Sequence, residues 1–386
     1  MNPIFKAALN GGALINETAA NIVTNGMDRL FNADELIRSS QSPFEVVLVR
    51  KPMTLRYYPP LEEAEIPLAD GSMLQVETEA QDAPLLIIPP LAASAHIFDL
   101  MPERSMVRYF RARGYKVYMV DWGEPAKRYA RLGVKDYAED MLGEAVETVR
   151  EHSGVQPVSL LGWCMGGLFA LIYAGLSHDK DIKNIITIAS PIDSRQGGAA
   201  GQVMALLEPT AALVRRYTGF RVHKIDPKYL QVPGWMNSLA FKLTNPVGSL
   251  STYWDLLMNL ADREFVVSHT TTSDFLDNMH HYPGGIIQDF MIKLGVDNDF
   301  SRGRIEIGDK TAELDRIEAS LLVFAGEKDA IVTPAAAEKS LDLVASKDKH
   351  FEVAPGGHAG VVMSAKAQKQ VWGLAADWLA TRSNAD

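Results

Sequence analysis

The sequence predicts an α/β protein: a mostly parallel sheet with helices on both faces and a helical cap inserted over one edge. Three observations carry this. Short apolar runs alternate with helix-period segments between about residues 84 and 189. Runs such as Pro84-Leu-Leu-Ile-Ile88 are continuously apolar, which suits strands buried on both faces. After Ser190-Pro191 the strand pattern stops for over a hundred residues and then resumes at Leu321-Leu-Val-Phe324.

In chain order, residues 1–42 read as an amphipathic helical arm, with Ile4, Phe5, Ala8, Leu9 and then Ile22, Val23, Met27, Leu30 and Phe31 at helical spacing. Residues 43–194 form the first part of the α/β core. Its strands are expected at Glu45–Val49, Met53–Tyr58, Pro84–Ile88, Tyr115–Val120, Val158–Leu161 and Ile185–Ala189. Between Tyr58 and Pro84 a Pro-, Glu- and Asp-rich linker is expected. Helices are expected near Ser105–Ala112, Val134–His152 and Gly167–Leu176. Residues 195–303, rich in Trp, Met, Leu and Asn, read as the helical cap. Residues 304–386 complete the core and end in a helix over about 365–380.

Composition narrows the function. The 386 residues are 47% hydrophobic and 22% charged, ordinary for a globular enzyme. A net charge of −10 argues against general nucleic-acid binding, which wants a basic face. The single cysteine excludes an intrachain disulfide. The N-terminus lacks the uninterrupted apolar core of a secretory signal, and no run is long enough to span a membrane. The expected location is the cytoplasm.

The informative segment is Val158-Ser-Leu-Leu-Gly162-Trp163-Cys164-Met165-Gly166-Gly167. An apolar strand runs into Gly-x-Cys-x-Gly and a helix begins at once. This is a nucleophile elbow with cysteine as the nucleophile, and it specifies the α/β-hydrolase fold. Small neighbours admit the tight turn, and the helix N-terminus favours a thiolate and the oxyanion formed on attack.

On this fold the acid and then the histidine follow the nucleophile. The turn Ala325-Gly-Glu-Lys-Asp329 after a late strand supplies Asp329 as the orienting carboxylate, with Glu327 as its rival. The loop Pro355-Gly-Gly-His358-Ala-Gly360 supplies His358 as general base, whereas His350 reads as a solvated surface residue. The expected oxyanion donors are the backbone N–H of Met165 and, because Pro89 and Pro90 have none, that of Leu91, with Ala92 next. His280-His281 is expected to be helical and unable to converge on a metal, and neither a metal nor a cofactor is expected.

A thiolate attacking an acyl thioester yields another thioester, a near-thermoneutral exchange that lets the acyl group be held and passed on. Cysteine here therefore points to acyl transfer, with a thioesterase or related hydrolase as the alternative and a catalytically silent interaction protein as the third class. Arg104, Arg108, Arg111, Arg113 and Lys116, or the loop Lys127, Arg128 and Arg131, are candidates for holding a phosphate. Trp235, Tyr253, Trp254 and Met258 are candidates for an acyl channel or for cap core.

Several motifs occur in order: Val120-Asp-Trp-Gly-Glu-Pro125, Asp136-Tyr137, Leu160–Gly167, Ser190-Pro-Ile-Asp193, the turn at Asp329, Pro355–Gly360 and Ser364–Lys369. Together the chain resembles the polyhydroxyalkanoate synthase family, most closely the class III catalytic subunit, over about residues 40–382. The resemblance implies polymerisation of (R)-3-hydroxyacyl-CoA into polyester, with the growing chain on Cys164. His358 would activate the thiol and the incoming hydroxyl, assisted by Asp329. It also implies a non-catalytic partner subunit, a homodimer through the cap and work at a polyester granule surface. The chain departs from the family pattern in Leu91–His96, at Trp163 and Met165, and in Thr270–Phe275.

Overall fold

The computed structural model describes residues 3–198 and 224–383. The part of the expected cap that falls in 199–223, residues 384–386, and the side chains of Ile4, Phe5, Ala8 and Leu9 lie outside this description.

The continuous apolar runs form the centre of one eight-stranded sheet. Its strands are β1 Glu45–Arg50, β2 Met53–Tyr58, β3 Leu85–Ile88, β4 Val117–Asp121, β5 Val158–Trp163, β6 Ile182–Ile188, β7 Ser320–Gly326 and β8 Lys349–Ala354. They lie in the order β1-β2-β4-β3-β5-β6-β7-β8. The first two are antiparallel, β2 joins β4 antiparallel, and β4 through β8 are parallel.

Alternation along each strand divides the core between the two faces. Leu86, Ile88, Leu160 and Val120 face helices α3 (Leu142–Ser153) and α4 (Met165–Ser177). Leu85, Ile87, Leu161 and Met119 face α2 (Met106–Ala112) and the closing helix that runs from Ala365 to Ala380 through a wide turn at Gln368–Gly373. Burial on both sides is why these segments show no polar alternation.

Three expectations need correction. The acidic linker after β2 folds back on itself as a small hairpin, Glu65–Pro67 with Met73–Gln75. A second hairpin, Arg304–Ile307 with Lys310–Glu313, precedes β7 and packs on α4; its alternating Ile305 and Ile307 were too short a signal to read. The arm is helical only through α1 (Pro3–Phe31) and a single turn at Ala33–Leu36.

That arm reaches the cap. Asn25 donates to the Leu260 carbonyl at 2.8 Å, and Arg263 pairs with Asp28 at 2.6 Å. The described cap helices are α5 (Gly234–Leu243), α6 (Pro246–Met258), α7 (Arg263–Asp277) and α8 (Gly284–Asp289). Among the described helices, none is long and apolar enough to cross a membrane.

Candidate active site

β5 is buried at all six positions and delivers Cys164 to the carboxyl edge of the sheet. The Cys164 N–H donates to the Ile188 carbonyl at 2.8 Å, which locks the turn to β6. Cys164 itself adopts φ 54° and ψ −117°, a conformation that costs a non-glycine residue on the order of 1–3 kcal/mol. The cost is borne because the surroundings leave no alternative. A Cβ on Gly166 would stand 1.9 Å from the Ile88 carbonyl oxygen, and one on Gly162 would stand 2.4 Å from Gly167 N. Glycine at both places lets α4 start directly behind the thiol and against the end of β3.

Asp329 and His358 come from the ends of β7 and β8. His358 Nδ1 lies 2.8 Å from Asp329 Oδ2, and both residues are buried. The other oxygen of Asp329, Oδ1, accepts the N–H groups of Ile331 at 2.8 Å and Val332 at 2.9 Å. Asp329 therefore both shapes its turn and holds the imidazole, one oxygen for each task. Glu327 is exposed and lies on the far side of the turn, where it lines a separate depression with Glu352 and Lys369. His350 is exposed and pairs with Glu352 instead.

His358 is close enough to Cys164 to feel its charge. Burial alone would lower the pKa of the imidazole. The charge of Cys164, then the Asp329 hydrogen bond, outweigh it and push the pKa up to about 10. The arrangement favours an imidazolium beside Cys164.

The Met165 N–H, at the start of α4, and the Leu91 N–H, in the turn after β3, have no protein acceptor among the described residues. The peptides around Leu91 are pinned. The Pro89 carbonyl accepts from Trp122 Nε1 at 2.7 Å, the Pro90 carbonyl from Ala93 N at 3.3 Å, and the Ala92 carbonyl from His280 N at 2.9 Å. Gly166 packs against Ile88 and Pro89, so the start of α4 lies against the end of β3.

A cavity of about 420 Å³ opens beside His358, lined by Phe241, Lys242, Tyr253, Leu276 and Lys328. A larger depression of about 720 Å³ lies at the opposite, amino end of β6 and β7, lined by charged and backbone groups. Ligands of open α/β sheets bind at the carboxyl ends, which selects the smaller cavity.

Several sequence readings resolve differently here. His280 and His281 are not helical; they lie in the bend between α7 and α8. The basic group near α2 is spoken for: Arg104 bonds Ser268, Arg108 pairs with Glu63, and Arg113 with Glu77 and Asp377. Arg131 pairs with Asp226 of the cap at 2.9 Å, and Arg128 lies over Tyr129. Tyr253 lines the cavity, whereas Trp235, Trp254 and Met258 are exposed on the cap. Sequence reading missed Tyr282, whose phenol pKa is raised by burial and by the charge of Cys164. The turn-forming Pro283-Gly-Gly285 beside it was the available signal. It also missed Trp163, whose indole donates to the His358 carbonyl at 3.2 Å.

Comparison with known proteins agrees with this frame. The family model described as Serine aminopeptidase, S33 matches residues 103–359. The poly(3-hydroxyalkanoate) polymerase subunit PhaC of Haloferax mediterranei is 27% identical over 375 residues, 95% of this chain and 70% of that protein. The subunit of the same name from Allochromatium vinosum is 27% identical over 358 residues, 92% of this chain and 93% of that protein. A solved structure of a soluble variant of monoglyceride lipase from Saccharomyces cerevisiae, in complex with a substrate analog, matches with a TM-score of 0.54 and 15% identity. It covers 90% of this chain and 97% of that one, a likeness of fold. The likeness to polyhydroxyalkanoate synthases read from the motifs thus holds over most of the sequence, and the chain belongs to the family described as Serine aminopeptidase, S33, within the α/β-hydrolases.

Proposed function

We propose that this chain is an acyltransferase that polymerises (R)-3-hydroxyacyl groups from their coenzyme A thioesters into polyhydroxyalkanoate, with Cys164, His358 and Asp329 as its catalytic triad. The observation that carries the chemistry is a cysteine at the elbow whose charge acts on an imidazole held from behind by a buried carboxylate. The polymerase name shared by relatives along most of the chain supports this substrate class over simple hydrolysis.

The Cys164 thiolate attacks the thioester carbonyl, and the oxyanion develops toward the N–H groups of Met165 and Leu91. The bond to the coenzyme A sulfur breaks, and the imidazolium of His358 supplies the proton that releases it as a thiol. A 3-hydroxyl group of a second hydroxyacyl thioester then attacks the Cys164 thioester. His358 takes its proton, the bond to Cys164 breaks, and an ester forms. Asp329 keeps the Nδ1–H tautomer throughout. Coenzyme A enters as part of the substrate, and the scheme uses no other cofactor.

The same reading includes a non-catalytic partner subunit, pairing of two copies through the cap and action in the cytoplasm at a polyester granule. The exposed Trp235, Leu239, Leu243, Trp254, Leu257 and Met258 of α5 and α6 support an apolar contact there. The test is to supply (R)-3-hydroxybutyryl-CoA, follow free thiol and identify the product. Insoluble polyester is expected. Thiol release with only soluble 3-hydroxybutyrate would establish a thioesterase instead.

A further inference from the structure

Among the residues around the triad, Trp163 has a chemistry that the mechanism leaves unused. It stands directly before the nucleophile and is 2% exposed. A buried indole needs an acceptor for its N–H. Here the acceptor is the main-chain carbonyl of the base itself, 3.2 Å away. The indole ring also lies 5.5 Å from the His358 ring, 6.3 Å from Phe98 and 6.4 Å from Phe275 in the cap helix α7.

His358 has reason to need such an anchor. Its loop, Pro355–Gly360, contains Gly356, Gly357 and Gly360, so its backbone is intrinsically loose. The neighbouring carbonyls are held by other groups: Gly356 accepts from Lys328 N in the turn after β7 at 2.9 Å, and Gly357 from Val361 N at 3.0 Å. The His358 carbonyl is held across the site, from the strand that carries the nucleophile. One strand end thus presents the sulfur and, one residue earlier, clamps the peptide that aims the imidazole. A shift of about 1 Å in a reacting group can cost about 10²-fold in rate.

We infer that Trp163 is a positioning residue, fixing the main chain of His358 through its indole N–H and tying that clamp to the cap through Phe275. The inference rests on the reading of His358 as the base that activates Cys164, though not on the identity of the acyl substrate.

Trp163→Phe keeps an aromatic ring and removes the N–H. Cys164 is the sole cysteine, so iodoacetamide alkylation reports on a single thiol. The rate of alkylation is measured from pH 5 to 10 in the unsubstituted protein and the variant, alongside 3-hydroxybutyryl-CoA turnover. The variant should alkylate about ten-fold more slowly near pH 7, with an altered pH profile. Its kcat should fall roughly 10- to 100-fold at an unchanged KM. Phe275→Leu keeps the hydrogen bond and loosens the ring from the cap, and should produce the same changes on a smaller scale, roughly three-fold. An alkylation profile and a kcat within about twofold of the unsubstituted protein in a folded Trp163→Phe variant would overturn the inference. Should that variant fail to fold, as judged by circular dichroism, unchanged alkylation in Phe275→Leu overturns it instead. Absence of turnover in the unsubstituted protein would sink the polymerase reading while leaving the alkylation comparison intact.

Discussion

Cys164 and His358 meet at one edge of the sheet, yet the backbones that carry them are held by different means. The elbow is held by packing. Its strand is wholly buried, its turn is strained, and its glycines touch backbone atoms on every side. The base loop is half-exposed and glycine-rich, and is held by a few hydrogen bonds to the turn after β7, to its own helix and to Trp163. A Cβ on Gly360 would meet nothing within 4 Å, while one on Gly166 would collide with the end of β3. Errors at the elbow should therefore cost folding, and errors in the base loop should cost geometry and rate.

The largest test is of the shared chemistry. Cys164→Ala should remove acyl transfer by about 10⁶-fold, to the floor of a free-thiol assay. Residual transfer at even a few per cent would break the assignment of the thiol.

Asp329→Asn sharpens the base side. The amide oxygen can still accept from Ile331 and Val332, so the turn and the fold should persist. The amide nitrogen would face Nδ1 as a donor and favour the wrong tautomer, with an expected loss of about 10⁴-fold in kcat. Loss of folding in its place, seen in circular dichroism, would show the carboxylate to be chiefly structural.

The contrast between the two backbones is tested with glycines. Gly166→Ala should lower stability to urea by more than about 3 kcal/mol. Gly360→Ala should change it by less than about 0.5 kcal/mol. Equal effects would erase the distinction drawn above.

The coupling across the site has a pH signature. The folded imidazole holds its proton up to about pH 10, whereas an unfolded histidine releases it near the ordinary value of 6.5. The folded state therefore binds the extra proton. The stability contribution of this group is full below pH 6.5 and is lost as pH rises through about 10. Cys164→Ala removes the largest influence raising that pKa. In the variant, the His358 titration followed by NMR should fall by more than about one unit, and the stability–pH slope should flatten between these limits.

The smallest folding effect is expected at the cap surface. Trp254→Ser, at an exposed site, should change the unfolding free energy by less than about 0.5 kcal/mol. It should weaken self-association measured by sedimentation if two copies pair there.

The sheet was legible because strands buried on both faces must be mainly apolar, as at Leu85–Ile88 and Leu321–Phe324. The elbow was legible because its geometry tolerates few residue types in a short contiguous string. The hairpin at Arg304–Glu313 was not, since four-residue strands leave too little periodicity to separate from a loop.

The order of motifs along the chain, by itself, determined the fold class and singled out Cys164 and His358 as candidates. Local constraints on buried strands and tight turns write themselves into neighbouring residues. Only the tertiary structure put Asp329, and not Glu327, beside His358, set Trp163 on the carbonyl of His358 and brought Tyr282 within the field of Cys164. Those contacts join residues far apart in the chain, and no local rule of spacing or propensity can encode which distant groups a folded backbone makes adjacent.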